Sequence, residues 1–127
     1  MYWGSPDING IPINMKKFLH VGCGPSRKEN TTITFASEAW KEVRLDIDEA
    51  AEPDILGSVL DLSMIESDSF DAIFSSHNIE HVYAYQVPKM LQEFYRVLKQ
   101  SGFFVVACPN LIPVARLIIE DKLTEPA

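Results

Sequence analysis

Residues Lys16 to Ser26 read K-K-F-L-H-V-G-C-G-P-S. A short apolar run leads straight into a turn holding two glycines one residue apart, Gly22 and Gly24. Glycine lets the backbone turn sharply and approach a ligand closely at the carboxyl end of a strand. An acid follows at Asp46, 22 positions after Gly24, at the end of the next apolar run, V-R-L-D. A glycine turn and a distant carboxylate form the layout of a nucleoside site, the turn taking one end of the ligand and the acid its ribose hydroxyls. The bland alternatives are a plain strand-ending turn and a solvated acid at a strand end.

The rest of the chain supplies a sheet for that turn to sit on. Strands are expected at Phe18–Val21, Glu42–Leu45, Ile55–Leu60, Phe70–Ser75 and Phe103–Ala107. Gly57 weakens the third of them. Residues 25–34 read as loop, Phe35–Lys41 as a short helix and Ser67–Ser69 as a turn. The clearest helix is Val87–Gln100, with Pro88 in its first turn and an apolar stripe of Met90, Leu91, Phe94, Val97 and Leu98. Ser101-Gly102 is its expected stop, and Leu111–Leu123 reads as a further helix. Strands alternating with helical or loop connections imply an α/β fold with a parallel sheet. Gly4, Pro6, Gly10 and Pro12 make residues 1–15 an extended arm, leaving 16–127 as a single domain.

Charge and composition narrow the function classes. The net charge of −7 argues against a nucleic-acid partner, because the phosphate field repels an acidic chain. No apolar run approaches the roughly 18 residues of a membrane span, and Met1–Asp7 lacks the basic and apolar regions of a signal peptide. A cytoplasmic location is the expectation. The two cysteines, Cys23 and Cys108, fall at the ends of strands one and five. With another strand expected between them they would be about 9.6 Å apart, beyond the ~7 Å reach of a disulfide. Two reduced thiols are the simpler reading.

The glycine loop discriminates among ligands. A phosphate-binding P-loop needs Gly-Lys-Ser/Thr, and the sequence has no such tripeptide. A dinucleotide fingerprint needs a third small residue for close helix packing. Arg27 stands there, after Pro25-Ser26. The loop suits a ligand without phosphates whose amino-acid end lies along the turn. His77-Asn78-Ile79-Glu80-His81 spells H-x-x-E-H, which places two histidines on one helix face and could bind zinc. A catalytic zinc also needs a third protein ligand, and no downstream acid has a supporting motif, so no metal is expected. Tyr83 and Tyr85 could face a substrate or serve packing.

Taken in order, these pieces resemble the S-adenosylmethionine-dependent methyltransferases with a Rossmann-like sheet, more narrowly the methyltransferase type 11-like proteins. The resemblance rests on V-G-C-G-P (Val21–Pro25), V-R-L-D-I-D (Val43–Asp48), P-D-I (Pro53–Ile55) and S-F-D-A-I-F-S-S-H-N-I-E-H (Ser69–His81). It continues through F-Y-R-V-L-K-Q-S-G (Phe94–Gly102) to the closing strand F-F-V-V-A-C-P-N. It implies a doubly wound parallel sheet with strand order 3-2-1-4-5 and S-adenosylmethionine as cofactor. Gly22, Cys23 and Gly24 would flank the methionine part. Asp46 would hold the ribose, with Ile47 against the adenine. Asp61 and Leu62 would reach the adenine edge, although Asp61-Leu62-Ser63 also reads as a helix cap. Ser76 and His77 would line the mouth near the methyl group, with His77 the candidate catalytic base because imidazole titrates near neutrality.

The resemblance implies methyl transfer to a small-molecule acceptor. Binding of the cofactor without catalysis, or service to a partner subunit, is the second reading, and a nicotinamide-dependent Rossmann protein the third. The family's usual last two strands have no counterpart after Ala107. The expectation is a chain shortened at its carboxyl end, or a homodimer or partner covering the open edge of strand five.

Overall fold

The computed structural model describes residues 15–76 and 82–107. The strands are β1 (Lys16–Val21), β2 (Trp40–Asp46), β3 (Ile55–Leu56), β4 (Phe70–Ser76) and β5 (Leu98–Ala107). The helices are α1 (Ile33–Ala36) and α2 (Val87–Val97). The strands form one sheet in the order β3-β2-β1-β4-β5, and each pairing is parallel. This is the order expected from the sequence. The chain reverses its direction of growth between β1 and β4, and there the sheet has its topological switch point.

Parallel strands are buried on both faces, and alternation along β1 feeds two cores. Leu19 and Val21 join Leu45, Ile73 and the buried stripe of α2, Met90, Phe94 and Val97. Phe18 faces the other way into an aromatic cluster with Phe35, Trp40, Ala72 and Phe74. Phe18 stacks on Phe35 with ring centroids 4.4 Å apart, and Trp40 meets Phe35 edge-on at 4.9 Å. This cluster explains why the expected helix over Phe35–Lys41 is instead a single turn. Thr32 caps it by accepting from the Phe35 N–H at 3.1 Å, and Trp40 must then enter β2 to bring its ring onto Phe35.

The largest departure from the sequence reading is the end of α2. The helix stops at Val97, and Leu98 is extended, pairing with Phe70. The carbonyls left open at a helix end need donors. Here the Ser67–Ser69 turn provides them, the Asp68 N–H reaching Arg96 O at 2.9 Å and the Ser69 N–H reaching Val97 O at 2.8 Å. No glycine cap is used. The register then jumps from Phe70↔Leu98 to Ala72↔Phe103, so that Lys99–Gly102 all lie opposite Asp71. Gly102 serves close approach: a Cβ there would lie 3.1 Å from Asp71 O and 3.0 Å from Lys99 O.

β3 is also shorter than expected, ending before Gly57, whose N–H bonds the Asp46 carbonyl at 2.9 Å and turns the chain out of the sheet. Among the described residues no helix is long and apolar enough to cross a membrane. The arm at 1–14, the expected helix at Leu111–Leu123, Cys108 and the H-x-x-E-H run at 77–81 lie outside the described residues.

Candidate functional site

β1 delivers its last side chain at Val21 and enters the glycine turn, where Gly22 has φ 60° and Gly24 φ 53°. An L side chain is strained in that left-handed region, so glycine is required for backbone reasons. A Cβ on Gly24 would meet no atom within 4 Å, so the turn faces open space. The Ser26 N–H closes it on Cys23 O at 3.0 Å, and the Cys23 N–H ties it to Leu45 O on β2 at 3.2 Å.

Asp46 ends β2 beside this turn. Its Oδ2 accepts from the Gly24 N–H at 2.7 Å and its Oδ1 from the Asp48 N–H at 2.8 Å. The side chain is only 9% exposed. A carboxylate has about four acceptor positions, so two protein bonds leave capacity for a bound diol. Asp46, Gly22, Leu45 and Ile47 line one side of a pocket of about 160 Å³, and Gly57, Ser58 and Val59 line the other. Ile47 is 74% exposed and stands at the rim as an apolar wall.

The remaining candidates are more dispersed. Cys23 is buried, and burial is the main cause pushing its thiol pKa up, with the Arg44 charge opposing. A raised pKa and burial both work against thiolate chemistry at this side chain. Asp61 is exposed, with Oδ1 accepting from the Ser63 N–H at 3.1 Å, and the Ser63 hydroxyl and N–H hold its carboxyl below the usual range. Leu62 is fully buried in the core, and its carbonyl accepts from Arg96 Nη2 at 2.8 Å. Neither Asp61 nor Leu62 lines the pocket. Ser76 closes β4 and pairs in register with Ala107. His77 lies outside the described residues.

Two parts of the site were not read from the sequence. Gly57–Val59 form the pocket's second wall, and the signal was present: a glycine inside a strand pattern can mark a close backbone approach. A Cβ on Gly57 would lie 2.7 Å from Met64 Cε. The second part is Arg44. It is 2% exposed, with Nε donating to Ser26 O at 3.0 Å, Nη1 to Glu52 O at 2.9 Å and Nη2 to Gly24 O. Beside it, buried His20 meets Glu42 Oε2 through Nδ1 at 2.7 Å.

Among the described residues no group of three or more His, Cys, Asp or Glu could hold a metal ion. No curated protein matches the chain in sequence. Solved structures share its fold, three of them as follows. The PH0226 protein of Pyrococcus horikoshii is 23% identical with a TM-score of 0.62, over 83% of this chain and 54% of that one. A Methanococcus maripaludis protein is 18% identical with a TM-score of 0.61, over 87% and 58%. A SAM-dependent methyltransferase of Archaeoglobus fulgidus is 20% identical with a TM-score of 0.63, over 88% and 54%. The chain thus spans somewhat over half the length of the structures it resembles. The family model for the methyltransferase domain runs over residues 19–106, from the middle of β1 to the last but one residue of β5, and so takes in the turn, Asp46 and part or all of every strand: the chain belongs to the methyltransferase domain family.

Proposed function

We propose that the chain binds S-adenosyl-L-methionine at the carboxyl edge of the sheet and that its methyl group passes to a small-molecule acceptor. One observation carries this reading: the Asp46 carboxylate reaches the Gly24 N–H at 2.7 Å while lining the same pocket as Gly22 and Ile47. The residues present fit that ligand. Asp46 has acceptor capacity for a ribose diol, Ile47 and Val59 offer apolar walls to an adenine, and the space over Gly24 admits an amino-acid tail. The turn has no Lys-Ser/Thr for phosphates.

When bound, S-adenosylmethionine supplies a methyl carbon already activated by its sulfonium. The chain's task is then alignment, and positioning alone can supply a large part of a rate enhancement. Asp46 fixes the ribose, and the turn fixes the end that bears the sulfur. Ser76, at the end of β4 beyond the switch point, stands on the acceptor side. His77, the next residue, lies outside the described residues. We place the protein in the cytoplasm, a setting that suits the free, buried Cys23 thiol.

A thermal-shift comparison of S-adenosylmethionine, S-adenosylhomocysteine and NAD tests the reading. A ligand at 100 times its dissociation constant should stabilise the protein by about 2.7 kcal/mol. The first two should do so and NAD should not. Asp46→Asn should weaken S-adenosylmethionine binding by roughly tenfold or more, as loss of a hydrogen bond to a charged group does. Preference for NAD would replace the reading by a dehydrogenase. Tight S-adenosylmethionine binding with no S-adenosylhomocysteine formed against a metabolite pool would leave a binding module.

A further inference from the structure

Strand β2 presents Glu42, Arg44 and Asp46 at alternate positions, so all three point to one face of the sheet. The last two grip the same peptide unit neighbourhood from both sides. Asp46 Oδ2 accepts the Gly24 N–H, and Arg44 Nη2 donates to the Gly24 carbonyl. Arg44 also holds the carbonyl of Ser26, the last residue of the turn, at 3.0 Å. Its third arm takes Glu52 O at 2.9 Å, on the loop that follows Asp46. Glu52 itself is left-handed at φ 52°, which turns that carbonyl inward.

A guanidinium is permanently charged and offers five donors in a rigid fork. Burying it to 2% exposure is costly unless the charge is compensated. Three carbonyl acceptors provide part of that compensation, and the neighbouring carboxylates of Glu42 and Asp46 share the same face. No hydrophobic residue could bridge these three carbonyls. Arg44 itself does not line the pocket.

We propose that Arg44 is a positioning residue that locks the Gly22–Ser26 turn in its ligand-binding shape and couples it to the acid at Asp46, so that strand β2 sets both halves of the cofactor site. The inference rests on the proposed cofactor reading, but the tether consists of the chain's own groups, the Arg44 guanidinium and the carbonyls of Gly24 and Ser26. The turn is thereby preorganised, and binding need not order it.

The experiment compares wild type, Arg44→Met and Arg44→Lys by two measurements. The first is calorimetric binding of S-adenosylmethionine. The second is amide hydrogen exchange in the ligand-free protein at Gly24 and Ser26, with the Gly57 N–H, bonded to Asp46 O on the far side of β2, as internal control. Arg44→Met should weaken binding by about tenfold or more, as loss of preorganisation does. It should speed exchange at Gly24 and Ser26 and leave Gly57 unchanged. Arg44→Lys keeps the charge but only one point of contact, so it should recover part of the affinity, and it serves alone if the methionine variant does not fold. Unchanged affinity in a folded variant overturns the proposal. So does a loss of protection that is equal at Gly57, which would make Arg44 a general stabiliser. If wild type binds no S-adenosylmethionine, the cofactor reading falls, and selective exchange at Gly24 still decides whether the tether is real.

Discussion

His20 shows how a single residue near the site responds to pH. Its ring packs edge-on against Phe74 at 5.2 Å, and Nδ1 meets Glu42 Oε2 at 2.7 Å. The groups acting on it are Glu42 and Asp46, which favour its charged form, and Arg44, which opposes it. Burial outweighs them all and holds its pKa below the ordinary 6.5. The contact with Glu42 is therefore a hydrogen bond from a neutral ring at pH 7, not an ion pair. A base with a lowered folded pKa binds its proton more readily in the unfolded chain. Its contribution is complete above 6.5 and is lost as pH falls from there toward the lowered folded value. Urea titrations between about pH 7.5 and 5 should show stability falling by up to roughly 1.4 kcal/mol per pH unit from this group. His20→Gln keeps a donor for Glu42 but does not titrate, and its pH slope should be shallower. Equal slopes would show that other groups govern acid sensitivity. At this scale the sequence revealed the glycines and Asp46, because their spacing is a pattern. It concealed Arg44, since a lone arginine in a strand reads as a solvated side chain and its partners are carbonyls, which every residue possesses.

Among the elements, α2 shows both what periodicity reveals and where it misleads. On its buried face, Met90, Phe94 and Val97 follow the helical period and were legible as core, while Val87 joins them from the first turn. Its end was not legible, because Leu98 continues the apolar period while belonging to β5, where it is buried against Phe70. What stops the helix is a pair of N–H donors from a turn some thirty residues earlier in the chain, Asp68 and Ser69, and no local rule sees that. β3 was overread for the converse reason: Val59 and Leu60 are apolar, yet one wall of the pocket is built from the residues just after the strand leaves the sheet. The energetics of α2 can be tested at its centre. Phe94 is 1% exposed and meets Phe104 edge-on at 5.8 Å. Phe94→Ala should cost about 3–5 kcal/mol by denaturant unfolding, the range for deleting a buried aromatic. A cost below about 1 kcal/mol would mean that the helix docks on the sheet less tightly than its burial indicates.

At the scale of the whole molecule, two concavities among the described residues compete for a ligand, and size and topology choose differently between them. The pocket lined by Asp68, Tyr95, Leu98, Lys99, Gln100 and Gly102 is about 310 Å³, larger than the 160 Å³ pocket beside Asp46. The larger one lies at the amino ends of β4 and β5, where α2 hands over to β5. In an open parallel sheet the ligand crevice lies outside the carboxyl ends of the strands, at the switch point. The amino edge has none of the paired turn-and-acid geometry. Lys99 there forms only a half-exposed ion pair with Asp71 at 3.4 Å, of a kind worth about 0–1 kcal/mol, so Lys99→Ala should fold normally. Tyr95 is 84% exposed and its loss removes little packing. Lys99→Ala and Tyr95→Ser should therefore leave S-adenosylmethionine affinity within about twofold of wild type, under half a kcal/mol on the affinity scale. Asp46→Asn, measured in the same calorimeter, should not. The opposite ranking, with the amino-edge variants losing binding and Asp46→Asn retaining it, would move the ligand to the other end of the sheet and remove the glycine turn from the function altogether.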